Sequence, residues 1–174
     1  MSRRRVLFFM AGAAIGAALL PLGLRWAPAL VWNTTASAPV GLYRATPEPI
    51  ARVGDPVFVR PPTPLAARLA TAGFLPLGAL LLKRIAAVAP SIVCRTADVV
   101  TVDGRQAARA LDRDRFGRSL PLWRGCRRLT TGEVFLLNPD PRSYDSRYFG
   151  PLPTGLIQAR ATPLLLTGDA DHAR

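Results

Sequence analysis

Lys83 is the only lysine among 23 basic side chains, and it sits in an aliphatic run, Leu80-Leu81-Leu82-Lys83-Arg84-Ile85-Ala86-Ala87-Val88. A guanidinium keeps its proton in any protein site, whereas burial shifts a lysine pKa readily, so a lone lysine among apolar neighbours is a candidate general base. Ser37 is a candidate nucleophile: Ala36 and Ala38 leave its hydroxyl sterically open, and Pro39 and Gly41 set a stiff turn after it. A third polar cluster is Asn138-Pro139-Asp140-Pro141-Arg142-Ser143-Tyr144-Asp145-Ser146-Arg147-Tyr148-Phe149-Gly150-Pro151. There Ser143 is placed to exchange a hydrogen bond with an amine, and Asp145 to pair with Arg147 and brace the loop. At an ordinary pKa near 10.4 only about one lysine in 2,500 is neutral at pH 7. Burial among Leu81, Leu82 and Ile85 must therefore bring Lys83 to roughly 7 or 8 before it can take the Ser37 proton. Each segment alone has a plainer account: a snorkelling lysine, a serine in a turn, and a solvated loop with an ion pair worth little.

Other chemistries have less to draw on. The single histidine, His172, stands near the C-terminus, where a histidine triad would depend on a frayed tail. One histidine and two cysteines make no zinc set, so neither metal nor cofactor is expected. Cys94 and Cys126 suit an oxidising compartment and would close a stabilising loop if paired; two buried free thiols are the alternative. The net charge of +12 is spread from Arg3 to Arg174 instead of forming a dense block, which argues against a nucleic-acid partner and suits an anionic membrane face.

These residues need elements to hold them. Short apolar runs broken by 17 Pro and 14 Gly favour strands over helices, at 41–45, 56–60, 79–88, 99–102, 133–137 and 155–161. Asp103-Gly104 predicts a tight hairpin turn, and 64–73 predicts a soluble helix with Pro at its start and Gly at its end. The Arg- and Asp-rich stretch 105–128 is expected to be a solvated excursion. Residues 6–24 carry no charge, enough for about 28 Å of helix, and Arg3, Arg4 and Arg5 precede them. The positive-inside rule predicts a cytoplasmic tail at 1–5, a transmembrane anchor at 6–24, a membrane-proximal linker at 25–33, a periplasmic domain at 34–166 and a disordered tail at 167–174. Trp26 and Trp32 would sit at the headgroup layer; cleavage of a signal peptide near Ala27-Pro28-Ala29 is the competing reading.

Taken together, the anchor, Ser37, the Lys83-Arg84 pair and Ser143-Tyr144-Asp145-Ser146-Arg147-Tyr148-Phe149-Gly150 resemble the type I signal peptidase family over most of residues 1–165. Within it, Ser37-Ala38-Pro39-Val40-Gly41-Leu42-Tyr43 looks like the TraF-type peptidases of conjugal transfer systems. Proline arrives one residue sooner than in the usual Ser-Met-x-Pro, and Leu137-Asn138-Pro139-Asp140 replaces the usual Gly-Asp-Asn-Arg, departures that favour a specialised substrate. The resemblance implies a mainly β, antiparallel, LexA-like domain behind one N-terminal transmembrane helix. It implies a Ser37-Lys83 dyad, an oxyanion site made by the Ser37 backbone N–H and the Thr35 hydroxyl, and Ser143, Asp145 and Arg147 in support. It further implies a bacterial inner-membrane endopeptidase that cleaves signal or pro-peptides after small residues, above all a pilin precursor, with the acyl-enzyme passing to water or to the pilin's own amino group. Two other readings are a LexA-like self-cleaving regulator, which would want a DNA-binding helix pair where the apolar anchor stands, and a non-enzymatic, membrane-anchored pilus-assembly module.

Overall fold

The computed structural model describes residues 30–47 and 52–167, and the anchor expected at 6–24, the cytoplasmic tail at 1–5, His172 and the rest of the tail beyond Thr167 lie outside them. Among the described residues no helix is long and apolar enough to cross a membrane. The described chain is mainly β and wholly antiparallel in its strand pairs. One sheet runs in the order β1-β2-β11-β3-β4-β9-β10 and a smaller one in the order β7-β6-β5-β8. The large sheet is built from β1 (Leu30–Asn33), β2 (Gly41–Thr46), β3 (Pro56–Val59), β4 (Leu81–Val88), β9 (Glu133–Leu137), β10 (Leu152–Pro153) and β11 (Ile157–Leu166). The small one contains β5 (Ile92–Thr96), β6 (Val99–Val102), β7 (Arg105–Arg109) and β8 (Gly125–Arg128).

Alternation explains the strands that carry the site. In β4, Leu81, Lys83 and Ile85 share one face and Leu82 the other, as the two-residue period requires. Leu81 and Ile85 join Val57, Val59, Val134 and Leu136 in a core capped by Leu65 and Leu69 of helix α1 (Thr63–Thr71). Leu82 packs with Tyr43, Phe58 and Ala159 on the opposite side, and Ala38 leans on that cluster. A third cluster joins the sheets through Val93, Val100, Phe135 and Leu137. The helix begins on Thr63, one residue before the expected start, with Pro64 in its first turn, and its C-terminal turn is followed by Gly73 at φ 69°.

Several expectations change. Residues 30–33, expected in the linker, are the edge strand β1, in register from Leu30 against Arg44 to Asn33 against Gly41. The stretch 105–128 is not wholly an excursion, because its ends are β7 and β8, both on the small sheet. These strands are largely exposed and rich in Arg, so they lack the apolar alternation that marks a half-buried strand. The last expected strand starts later, at Ile157, after a 3₁₀ turn at Thr154–Leu156, and reaches Leu166. Cys94 of β5 and Cys126 of β8 face each other in register and form a disulfide, 32 residues apart in sequence. That resolves the open choice between a bridge and two free thiols.

Candidate active site

Lys83 is 3% exposed, in β4, an interior strand of the large sheet flanked by β3 and β9. Its Nζ donates a 2.8 Å hydrogen bond to Ser143 Oγ. Burial lowers its pKa from an ordinary 10.5 to about 8, opposed by the charge of Asp145, assisted by that of Arg147 and opposed again by Asp140. The apolar surroundings dominate because an ammonium loses its hydration there, while the Asp145 and Arg147 charges act in opposite directions. At a pKa of about 8, roughly one amine in ten is neutral at pH 7, against about one in 3,000 at 10.5.

Ser143 is fully buried, and its loop is fixed by an ion pair with almost no solvent contact: Asp145 is 0% and Arg147 1% exposed. The Asp145 carboxylate accepts from Asn138 N–H at 3.0 Å, from Arg147 N–H at 3.2 Å, from Arg147 Nε at 2.7 Å and from an Arg147 Nη at 3.0 Å. It also caps the N-terminus of α2 (Ser146–Phe149). With its lone pairs engaged by Asn138 and Arg147, Asp145 acts on Lys83 through its field. Arg147 donates further to the carbonyls of Arg109, Pro141 and Asn138, and its own carbonyl accepts from Arg95 at 2.6 Å. The modest value expected of an exposed ion pair does not apply here, because removing one member would strand a charge in the core. Phe74, Tyr144 and Tyr148 stack in a row, with centroids 5.4 and 5.3 Å apart, and tie the loop to the end of α1.

Asn138 escaped the sequence reading as a site residue, although it connects Lys83 to this loop. Its Nδ2 donates to the Leu82 carbonyl at 3.0 Å and its Oδ1 accepts from Arg84 N–H at 3.2 Å, so one carboxamide grips the backbone on both sides of Lys83. Its own N–H and carbonyl engage Asp145 and Arg147. The only sequence signal was a buried-strand ending, Leu136-Leu137, that runs straight into Asn.

Ser37 lies on the turn between β1 and β2, half-buried. Among the described residues Lys83 bonds to Ser143 and Ser37 Oγ makes no hydrogen bond. Ala38, the next residue, packs on the cluster that contains Leu82, so the serine turn touches β4 through the face opposite to the one that Lys83 shares with Leu81 and Ile85. The turn is held at several points. Tyr43 Oη donates to the Pro39 carbonyl at 2.7 Å, and Thr167 N–H donates to the Val40 carbonyl at 2.8 Å. A Cβ on Gly41, at φ 153°, would stand 2.1 Å from the Leu165 carbonyl oxygen, so β11 can approach only a glycine there. The Thr35 hydroxyl donates to Asn33 Oδ1 at 2.8 Å. No group of three His, Cys, Asp or Glu side chains suited to a metal occurs among the described residues.

The described chain is thus an antiparallel β domain that buries a lysine amine on a serine hydroxyl. Residues 3–165 match the model for the signal peptidases, peptidase S26, and the chain belongs to that family. It is 40% identical over 76% of its length to a probable conjugal transfer protein TraF of Sinorhizobium fredii, covering 75% of that protein. It is 35% identical to the conjugal transfer protein TraF of Agrobacterium tumefaciens strain 15955, covering 94% of this chain and 97% of the other. A plasmid transfer protein TraF of Escherichia coli is 29% identical over 88% of this chain and 91% of its own. A signal peptidase I of Enterococcus faecalis V583 overlaps 67% of this chain and 98% of its own at 16% identity and a TM-score of 0.38, too loose a likeness to argue from.

Proposed function

We propose that the protein is a membrane-anchored serine endopeptidase that processes the signal or pro-peptide of an exported substrate, a conjugative pilin precursor in particular. The observation that carries this reading is the buried Lys83 amine on Ser143, with its pKa lowered to about 8 by its apolar surroundings. Ser37 attacks the scissile carbonyl, neutral Lys83 takes its proton, and the resulting ammonium returns it to the leaving amine. Ser143 orients the amine, and the Asp145–Arg147 pair braces the loop that carries Ser143. The Ser37 backbone N–H and the Thr35 hydroxyl receive the oxyanion. The missing Ser37–Lys83 hydrogen bond is compatible with this, since catalytic hydrogen bonds are often loose without substrate and tighten in the Michaelis complex. Family membership and the TraF relatives support the pilin class of substrate. The disulfide supports placing the domain from β1 to β11 on the periplasmic side of the inner membrane, behind the anchor at 6–24. The acyl group leaves to water or to the pilin's own amino terminus, and the intact mass of the product separates the two outcomes by one water.

The experiment is cleavage of a pilin precursor in reconstituted vesicles by wild type, Ser37→Ala and Lys83→Arg. Lys83→Arg keeps the charge and removes the titratable amine. Both variants should lose roughly a thousandfold or more in kcat/KM. Processing by Ser37→Ala at the wild-type rate would remove the nucleophile from this reading, and full activity of Lys83→Arg would remove the base.

A further inference from the structure

Asn33 and Gly41 are paired residues of a hairpin, so residues 34–40 must reverse direction between two fixed points. The space inside that reversal is filled by the Asn33 side chain, which is 8% exposed. Its Nδ2 donates to the carbonyl oxygens of Thr35 at 3.0 Å, Ala38 at 3.2 Å and Pro39 at 3.0 Å. Its Oδ1 accepts from Thr35 N–H at 3.1 Å and from Thr35 Oγ1–H at 2.8 Å. One carboxamide thus binds the turn before and after Ser37. Its orientation follows from its partners: three carbonyls require the N–H side, and a backbone N–H requires the oxygen.

We propose that Asn33 is a positioning residue for the nucleophile turn, one that fixes Ser37 and also holds the Thr35 hydroxyl proton in reserve until negative charge develops on the substrate carbonyl. The proposal rests on the Ser37–Lys83 peptidase reading and deepens it. A carbonyl oxygen only accepts, so the single Thr35 hydroxyl proton is committed to Asn33 Oδ1 in the resting state. To reach an oxyanion the hydroxyl must rotate and exchange that acceptor. A neutral substrate carbonyl offers nothing better than the neutral Oδ1. An oxyanion does, because hydrogen bonds to an ionised acceptor are roughly twice as strong. The Thr35 contact is therefore made in the transition state and withheld from the ground state, which is the form of binding that accelerates a reaction. No proton is transferred between Thr35 and Asn33; one hydrogen bond replaces another.

Asn33→Asp tests this. It keeps the size and the acceptor, removes the N–H donors and gives the Thr35 hydroxyl a charged partner that competes with the oxyanion. In the full chain in detergent, with a peptide spanning a pilin-precursor cleavage site, N33D should lower kcat by roughly 10- to 100-fold at nearly unchanged KM, after normalisation to the folded fraction. The same substitution in a Thr35→Val background, where no hydroxyl is left to hold, should cost about tenfold less than it does in wild type. An N33D variant with wild-type kcat, or an equal cost in both backgrounds, overturns the proposal. Should N33D not fold, nitrogen-15 NMR of the unaltered chain carries the test. The Asn33 side-chain amide protons should exchange far more slowly than those of exposed Gln106, and equal rates overturn the arrangement. Failure of the peptidase reading would look different: wild type would cleave no peptide, or Ser37→Ala would cleave it as well, whatever Asn33 does.

Discussion

Replacing Lys83 with methionine should abolish catalysis and yet stabilise the fold. Burial lowers the Lys83 pKa from 10.5 to about 8. Between those values the unfolded chain holds a proton that the folded chain has released, so stability rises with pH across that window. Below pH 8 both states are protonated and the folded state carries the full desolvation cost. At 1.36 kcal/mol per pH unit, a gap of about 2.5 amounts to on the order of 3 kcal/mol at pH 7. Methionine fills a similar volume without a charge and so removes this cost. It also removes the 2.8 Å bond to buried Ser143 Oγ, a loss of about 1 kcal/mol. The net expectation is that Lys83→Met is more stable than wild type by about 2 kcal/mol at pH 7, and that the advantage disappears as pH rises through 8 to 10.5. Urea unfolding followed by tryptophan fluorescence, at pH 7 and pH 10, measures the difference between the two proteins, and groups that titrate alike in both cancel. A variant less stable than wild type at pH 7, or a difference that stays constant with pH, would refute the claim that burial lowers the Lys83 pKa.

Arg147→Met should cost roughly 3 to 5 kcal/mol, because it leaves Asp145 buried and unpaired. It should also move any Lys83-dependent activity to higher pH, since the charge that lowers the Lys83 pKa is removed and the Asp145 charge that raises it remains. Thermal melts and a pH–activity series read the two effects. Gly41→Ala should destabilise by about 2 kcal/mol or more, through the contact with Leu165 and the positive φ, and should reduce cleavage because the Ser37 turn ends there. Cys94→Ser with Cys126→Ser should lose up to about 3.7 kcal/mol in the chain-entropy account of a 32-residue separation. The urea midpoint should fall accordingly, and reductant should lower wild type to match the variant.

The candidate site residues were more legible in the sequence than the elements and side chains that support them. A single lysine in an aliphatic strand, a serine framed by alanines, and Ser143 beside Asp145 and Arg147 each have a plainer account singly and point to one site only when taken together. The structure joins Lys83 to Ser143 and Asp145 to Arg147 as those choices suggest. The strand that carries Lys83 and the two that flank it were also readable, because β4, β3 and β9 are short apolar runs between turn residues. What escaped was set by tertiary partners. Strand β1 is an exposed edge with a partner on one side only, and it reads as a linker next to an apolar segment. Strands β7 and β8 expose most of their residues, so burial left no pattern in them. Asn33 and Asn138 are ordinary strand-end residues by type. Asn138 acquires meaning only because Leu82 and Arg84, 56 and 54 residues earlier, come within reach of its carboxamide.

The central claim, that burial keeps Lys83 ready to take the Ser37 proton, is tested most directly by the pH dependence of kcat/KM for pilin-precursor cleavage. A folded-state pKa of about 8 predicts one limb with unit slope on the acid side, a midpoint near pH 8 and about a tenfold gain from pH 7 to pH 9. A rate that is flat across that range, or that keeps rising past pH 10 as an unperturbed lysine would require, would contradict it.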